Sequence, residues 1–261
     1  MNDYKDKNYQ SFKVLRGIGV PIFKTLFHPQ INNKEFIKGN EPTIFFGNHR
    51  HVFDQFPVIC ATPKYIRWFA KKEYFDSKLR ILYEATGCIE VDRGGDTSKA
   101  MDEATECLEQ GGSIGIFPEG TRNIYYLSIM ARDLALKKLN NLINIYGNNH
   151  PQIERAKLTY EQAELRIIKA KQKLEERGYE VIENDLLLGF KKGAAILSNK
   201  TGVSLSPFAV TGDYKITNKN LTVTFGEKIL PENKTVETLN EEMRNTVKEL
   251  VLKNEPKRSN K

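Results

Sequence analysis

At 261 residues, 39% of them hydrophobic and 28% charged, the chain suits one large α/β domain or two small ones and is not composed like a disordered protein. No apolar run reaches the length needed to span a bilayer (about 18 residues), and MNDYKDKNYQ lacks the charged-then-apolar order of a secretory signal. A cytoplasmic protein, at most peripherally associated with the membrane, is expected, and its net charge of +7 predicts an anionic partner.

In chain order, residues 11–27 come first and place Phe12, Leu15 and Ile18 on one helical face until Pro21 interrupts the pattern. Lys13, Arg16 and Lys24 make the segment basic, which suits a membrane interface or a helix packed on the core. From residue 43, strand-like and helix-like stretches alternate. Thr43–Gly47, Tyr65–Ala70, Cys88–Asp92 and Ser113–Phe117 read as short buried strands. Residues 73–84 and 97–110 read as helices, the second with Asp96, Thr97 and Ser98 as cap candidates.

Residues 124–182 break this alternation with two long helical patterns separated at Gly147–Pro151. In the second, Ile153, Ala156, Tyr160, Ala163, Ile167, Ala170 and Leu174 form an a/d seam over about three heptads, as in a coiled coil. Leu127, Met130, Leu134, Leu142 and Ile145 supply a facing surface on the first. Val203–Val210 and Leu221–Phe225 then read as strands, and a last helix puts Leu239, Met243, Val247 and Leu250 on one face. The fold class is α/β, a mostly parallel or mixed central sheet flanked by helices, with an inserted antiparallel helical hairpin. The expected organisation is a membrane-proximal segment (1–39), one α/β domain (40–122 and 187–254), the inserted hairpin (123–186) and a disordered basic tail (255–261). Cys60, Cys88 and Cys107 have neither a metal-ligand nor a disulfide spacing and read as free thiols.

Three polar clusters follow apolar strands, where the active-site groups of an α/β sheet collect. Gly47–Asp54 contains His49 and, five residues on, Asp54. A carboxylate on one imidazole nitrogen fixes the tautomer and leaves the other to take a proton from a hydroxyl. Phe117-Pro118-Glu119-Gly120-Thr121-Arg122 is a compact loop in which backbone can approach a ligand and Arg122 can hold a phosphate. Val91-Asp92-Arg93-Gly94-Gly95 sets a second arginine at a strand end. Two arginines beside a His–Asp pair suit a phosphate-bearing substrate with a reacting hydroxyl.

The set resembles the glycerolipid acyltransferase superfamily. Asn48-His49 with Asp54 matches its NHxxxxD block, Ile89–Arg93 its second block, and Phe117–Arg122 its FPEGTR block letter for letter. Ser206-Pro207-Phe208 resembles the fourth block, Phe190–Ala194 the FKKGA stretch before it, and Ala70–Glu73 the AKKE segment between the first two. The resemblance implies that His49 is a general base oriented by Asp54. It implies that Arg93, Glu119, Gly120, Thr121 and Arg122 bind the acceptor's glycerol phosphate and that Pro207 shapes the acyl-donor side. The implied reaction moves a fatty acyl group from acyl-CoA or acyl carrier protein to the 2-hydroxyl of a 1-acyl-glycerol phosphate at a membrane surface, with no cofactor.

Two departures from the family pattern stand out. His51 occupies a position where the family usually has serine, and residues 123–189 intervene where FPEGTR normally runs by a short loop into FKKGA. His49-x-His51 also approaches the HxHxDH pattern of binuclear metallohydrolases, but Asp54 comes one residue late and is followed by Gln55, so no metal site is predicted. Basic residues are dispersed and no RNP-like pattern is present, which argues against a nucleic-acid partner.

Overall fold

The computed structural model describes residues 6–183, 185–217 and 219–255. They form two compact units, one running to Thr121 and resuming over Phe190–Glu255, the other comprising Arg122–Gly189. The tail expected to be disordered lies, apart from Glu255, outside the described residues.

The first unit opens with helix α1 (Tyr9–Phe27), strand β1 (Gln30–Asn32) and a 3-10 turn (Lys34–Ile37). It continues through β2 (Ile44–Gly47), α2 (Gln55–Ala61), β3 (Ile66–Lys71), α3 (Lys72–Phe75), α4 (Arg80–Ala85), β4 (Ile89–Val91), α5 (Ser98–Glu109) and β5 (Ser113–Ile116). The second unit supplies α6 (Ile124–Tyr146) and α7 (Pro151–Glu175), after which α8 (Gly193–Thr201), β6 (Leu205–Thr211), β7 (Thr222–Phe225) and α9 (Val236–Asn254) complete the first.

Among the described residues, seven strands lie in the order β1-β7-β6-β2-β5-β3-β4. Every neighbouring pair is parallel except β6–β7, so the sheet is mixed, and β6, β2, β5, β3 and β4 present their carboxyl ends at one rim. All residues of β2 and β6 are buried, the continuous apolar reading of strands covered on both faces. Pro207 sits in the middle of β6, where a missing N–H would ordinarily break the ladder. The antiparallel ladder with β7 starts only at Phe208–Phe225, one residue further on, so β7 asks for no donor from Pro207; its carbonyl accepts from Gly226 N at 2.9 Å.

Several sequence expectations need correction here. Pro21 does not end α1, because it and Gly17 both lie on the exposed side and the missing bond is given up to water. The buried face of α1 is Phe12, Val20 and Phe23, whereas Ile18, read on one face with Phe12, is 60% exposed. The helix expected over 73–84 is two short ones, broken where Ser77 Oγ donates to Tyr74 O and accepts from Leu79 N. Asp96, not Thr97, makes the local turn before α5, its carboxylate accepting from Ser98 N at 2.8 Å. In α9 the core position given to Leu250 belongs to Val251, which continues the four-residue steps of Leu239, Met243 and Val247.

Within the second unit, α6 and α7 run antiparallel. Tyr125 and Ile129 near the start of α6 pack with Ala170 and Leu174 near the end of α7, and Leu139 packs with Ile153 and Ala156 at the other end. His150 turns the chain into α7, its Nδ1 accepting from Gln152 N while its ring stacks on Tyr146. The α7 seam is buried as read, with Tyr160 and Ile167 half-buried. The facing surface on α6 differs from expectation. Leu134 and Ile145 are 65% and 69% exposed, and Tyr125, Tyr126, Ile129 and Leu139 are buried in their place.

Candidate active site

The site forms where β2 and its neighbours end. Asn48, the first residue beyond β2, is buried and its side-chain amide continues the ladder to β6. Its Nδ2 donates to Val210 O at 2.9 Å and its Oδ1 accepts from Val210 N at 2.8 Å. A two-point amide clamp of this kind fixes the backbone that carries His49.

His49 is held on three sides. Its backbone N–H donates to Oε1 of Glu119 at 2.8 Å, across to the loop that follows the adjacent strand β5. Its ring stacks on Phe117, with centroids 4.2 Å apart and planes 14° from parallel, and Phe117 stacks in turn on Trp68 of β3. Nδ1 lies 3.0 Å from Oδ2 of Asp54. That carboxylate only accepts, so Nδ1 carries the proton and Nε2 is left with a lone pair. The His49 side chain keeps 14% exposure against none for Asp54, so the pair joins a reachable base to a sequestered partner.

Asp54 stands at the N-cap position of α2, yet its side chain caps nothing there. It turns back into the loop, where Oδ2 also accepts from Arg50 N at 2.5 Å and His51 N at 2.7 Å, while Oδ1 accepts from the Tyr214 hydroxyl at 2.7 Å. Tyr214 is half-buried, and desolvation first, then the neighbouring Asp54 charge, pushes its hydroxyl well above the usual tyrosine range. Its ring stacks on His51 at 4.3 Å, which gives that extra imidazole a structural place beside the site. Arg50 turns away to pair with Glu255.

The other sequence-derived candidates are placed as follows. Glu119 is wholly buried and holds the His49 backbone. Gly120 has φ +68°, and a Cβ there would come within 3.0 Å of Cε of Lys191, whose side chain therefore crosses this turn. The Lys191 backbone N–H donates to Pro118 O at 2.9 Å, which ties the FKKGA stretch to the FPEG loop. Thr121 is buried at the end of the first unit, and Arg122 opens the second and is exposed. Pro207 is buried within β6, paired in register with Phe46. Arg93 follows the edge strand β4, in a turn built on Asp92, whose Oδ1 accepts from Gly94 N. His49, Asp54, Glu119 and Gly120 thus converge on the loops of neighbouring strands, and Arg93 stands two strands beyond β5.

Two of the cysteines do not compete with this arrangement. Cys60 and Cys88 are desolvated, and burial pushes the Cys60 thiol up to about 11 and that of Cys88 in the same direction, so neither is a thiolate near neutrality. Sequence reading missed Tyr214 and Trp68 as parts of the site and quoted Phe117 only as the first letter of the FPEGTR block. It quoted Lys191 only as a motif letter.

Comparison with known proteins bears on the family and the fold. The Acyltransferase family model matches residues 28–211. No curated protein matches the chain. A crystal structure described as the 1-acyl-sn-glycerophosphate (LPA) acyltransferase, PlsC, from Thermotoga maritima is similar with a TM-score of 0.57 and 19% identity, over 93% of this chain and 78% of that one. At that identity the likeness is one of fold. The family match spans well over half of the chain, from before β1 to the end of β6, and takes in the His49–Asp54 pair and the FPEGTR loop. The chain belongs to the glycerolipid acyltransferase superfamily and has its PlsC-like fold.

Proposed function

We propose that this acyltransferase moves a fatty acyl group from acyl-CoA or acyl carrier protein to the 2-hydroxyl of a 1-acyl-glycerol 3-phosphate, giving phosphatidate. The observation that carries the reading is the His49 Nδ1–Asp54 contact of 3.0 Å beside the FPEGTR loop. In this reaction Nε2 of His49 takes the proton of the acceptor hydroxyl as its oxygen attacks the thioester carbonyl. The tetrahedral oxyanion collapses, the C–S bond breaks, and the thiolate leaves and recovers the proton from His49. Asp54 balances the imidazolium formed between these steps. Glu119 acts on the acceptor through the position of His49. The Gly120–Thr121 turn, Arg93, Arg122 and the crossing Lys191 supply phosphate-binding groups by residue type and motif. Pro207 bears on the donor side through the packing of β6.

An amphiphilic acceptor requires a lipid surface, and α1 supports one. Val14, Ile18, Ile22 and Leu26, at four-residue steps, are exposed along the helix opposite its core face, and Lys13 and Lys24 are exposed on other sides of the same helix. Leu79, Ile81 and Leu82, next to Lys78 and Arg80, form a second exposed apolar group. Among the described residues no helix is long and apolar enough to cross a membrane. Peripheral docking should therefore respond both to apolar area and to salt. Co-sedimentation with vesicles containing anionic lipid is expected to exceed that with neutral ones and to weaken as salt rises. Ile18→Asp with Ile22→Asp should abolish it. Equal binding to both vesicle types would remove the electrostatic part.

The reaction itself is tested by mass spectrometry of products after mixing the protein with lysophosphatidate and a panel of acyl-CoA species. Phosphatidate is the expected product. Product only with acyl carrier protein donors, or only with another lysolipid, would change the donor or acceptor and keep the chemistry. No product from any pairing would favour a non-catalytic membrane-binding scaffold.

A further inference from the structure

The carboxylate of Asp54 takes four hydrogen bonds, and they are unevenly placed. Three donors, His49 Nδ1, Arg50 N and His51 N, converge on Oδ2. Oδ1 receives the Tyr214 hydroxyl at 2.7 Å. Three bonds to one oxygen locate that oxygen but leave the carboxylate free to swing about it. A bond to the second oxygen fixes the plane, and with it the lone-pair direction that His49 Nδ1 meets. Tyr214 is itself held firmly. Its ring lies against His51 (4.3 Å, stacked) and meets Phe27 of α1 edge-on at 5.8 Å, with Phe23 and Phe53 at 6.4 and 6.2 Å. The hydroxyl stays protonated at any working pH because burial and the Asp54 charge both oppose its ionisation.

We propose that Tyr214 is a positioning residue of the His49–Asp54 pair, its hydroxyl locking the Asp54 carboxylate in the orientation that aims Nε2 of His49 at the acceptor hydroxyl. Tyr214 does not touch the reacting atoms. It acts through Asp54 from a loop 160 residues away, braced by α1. The inference rests on the acyl-transfer reading for its kinetic consequence and on the geometry alone for its structural one. Misplacement of a catalytic group by about 1 Å can cost on the order of 10²-fold in rate, which sets the scale of the expected effect.

The variants are Tyr214→Phe, which keeps the ring and its stack and loses only the hydroxyl, and Tyr214→Leu, which loses both. Tyr214→Phe should lower kcat by about 10–100-fold, with KM for lysophosphatidate within about twofold of wild type and a melting temperature close to it. Tyr214→Leu should also lower the melting temperature. In an Asp54→Asn background, Tyr214→Phe should cost no more than about twofold, since residues acting through one interaction are not additive. The hydrogen-bonded Nδ1 proton of His49, followed by NMR, should shift in Tyr214→Phe. A purely structural tyrosine would move neither the cycle nor that proton. A kcat within twofold of wild type, a full penalty persisting in the Asp54→Asn background, or an unmoved Nδ1 proton would overturn the proposal. If the wild-type protein transfers no acyl group, the catalytic reading falls and the Nδ1 proton alone decides whether Tyr214 positions the pair.

Discussion

Alanine at His49 should reduce kcat by about 10²–10⁴-fold, the usual contribution of a positioned general base, and leave the fold standing. The side chain reaches the surface and its removal gives up one hydrogen bond to Asp54 and one ring stack on Phe117. An aromatic pair contributes about 0.5–1.5 kcal/mol beyond its burial. In a protein of this size that is a fall in Tm of roughly 1–6 °C, easily told apart from unfolding by a thermal melt. His49→Gln sharpens the comparison. Its amide can still donate to Asp54, but it offers no basic nitrogen, so its kcat should fall as far as that of the alanine variant. Substantial activity in His49→Gln would mean that the proton leaves by another route.

The largest effect on stability is expected one strand end away. Gly47 closes β2 in register with Phe208 of β6. A Cβ at Gly47 would lie 2.4 Å from the Phe208 ring and 2.5 Å from its carbonyl oxygen. The ring could rotate away only into the buried cluster of Phe45, Trp68 and Phe225, and the carbonyl belongs to a central strand. Gly47→Ala must therefore part β2 from β6. Overpacking of this kind costs about 1–3 kcal/mol, and with backbone as the obstacle the upper end applies. A Tm lowered by about 6–12 °C is expected in differential scanning calorimetry. Activity should fall with it, because Asn48 and His49 follow directly and the Asn48–Val210 clamp depends on the same spacing. An unchanged Tm would show that the two strands can yield at this point.

What could be read from the sequence was whatever is local. The five-residue step from His49 to Asp54 can be seen without a fold, and so can buried strands that lack alternation and the three-and-four seam of α7. What could not be read depends on partners distant in the chain. Tyr214 lies in a loop with no motif, and only the β2–β6 pairing brings it near Asp54. Glu119 carries a motif letter that suggests a ligand, but its burial against the His49 backbone is set by the adjacency of β2 and β5. The misplaced apolar residues, Ile18, Leu134 and Ile145, have a common cause. Each helix has apolar side chains on more than one face, and periodicity alone does not say which stripe meets the core. Pro21 misled for the opposite reason, since a proline breaks a helix only where the lost bond matters.

The ends of the second unit meet each other, and so do the points where the first unit receives them. Asn123 Nδ2 donates to Leu186 O at 3.2 Å inside the hairpin unit, and Lys191 N donates to Pro118 O at 2.9 Å inside the other. This bears on assembly. Joining β5 to β6 requires closing a loop of some 70 unordered residues, against an effective handful once the hairpin has folded on itself. With closure entropy growing as (3/2)RT ln n, the difference is about 2 kcal/mol. Folding of the helical pair on itself thus shortens the loop that must close before β6 can pair with β2.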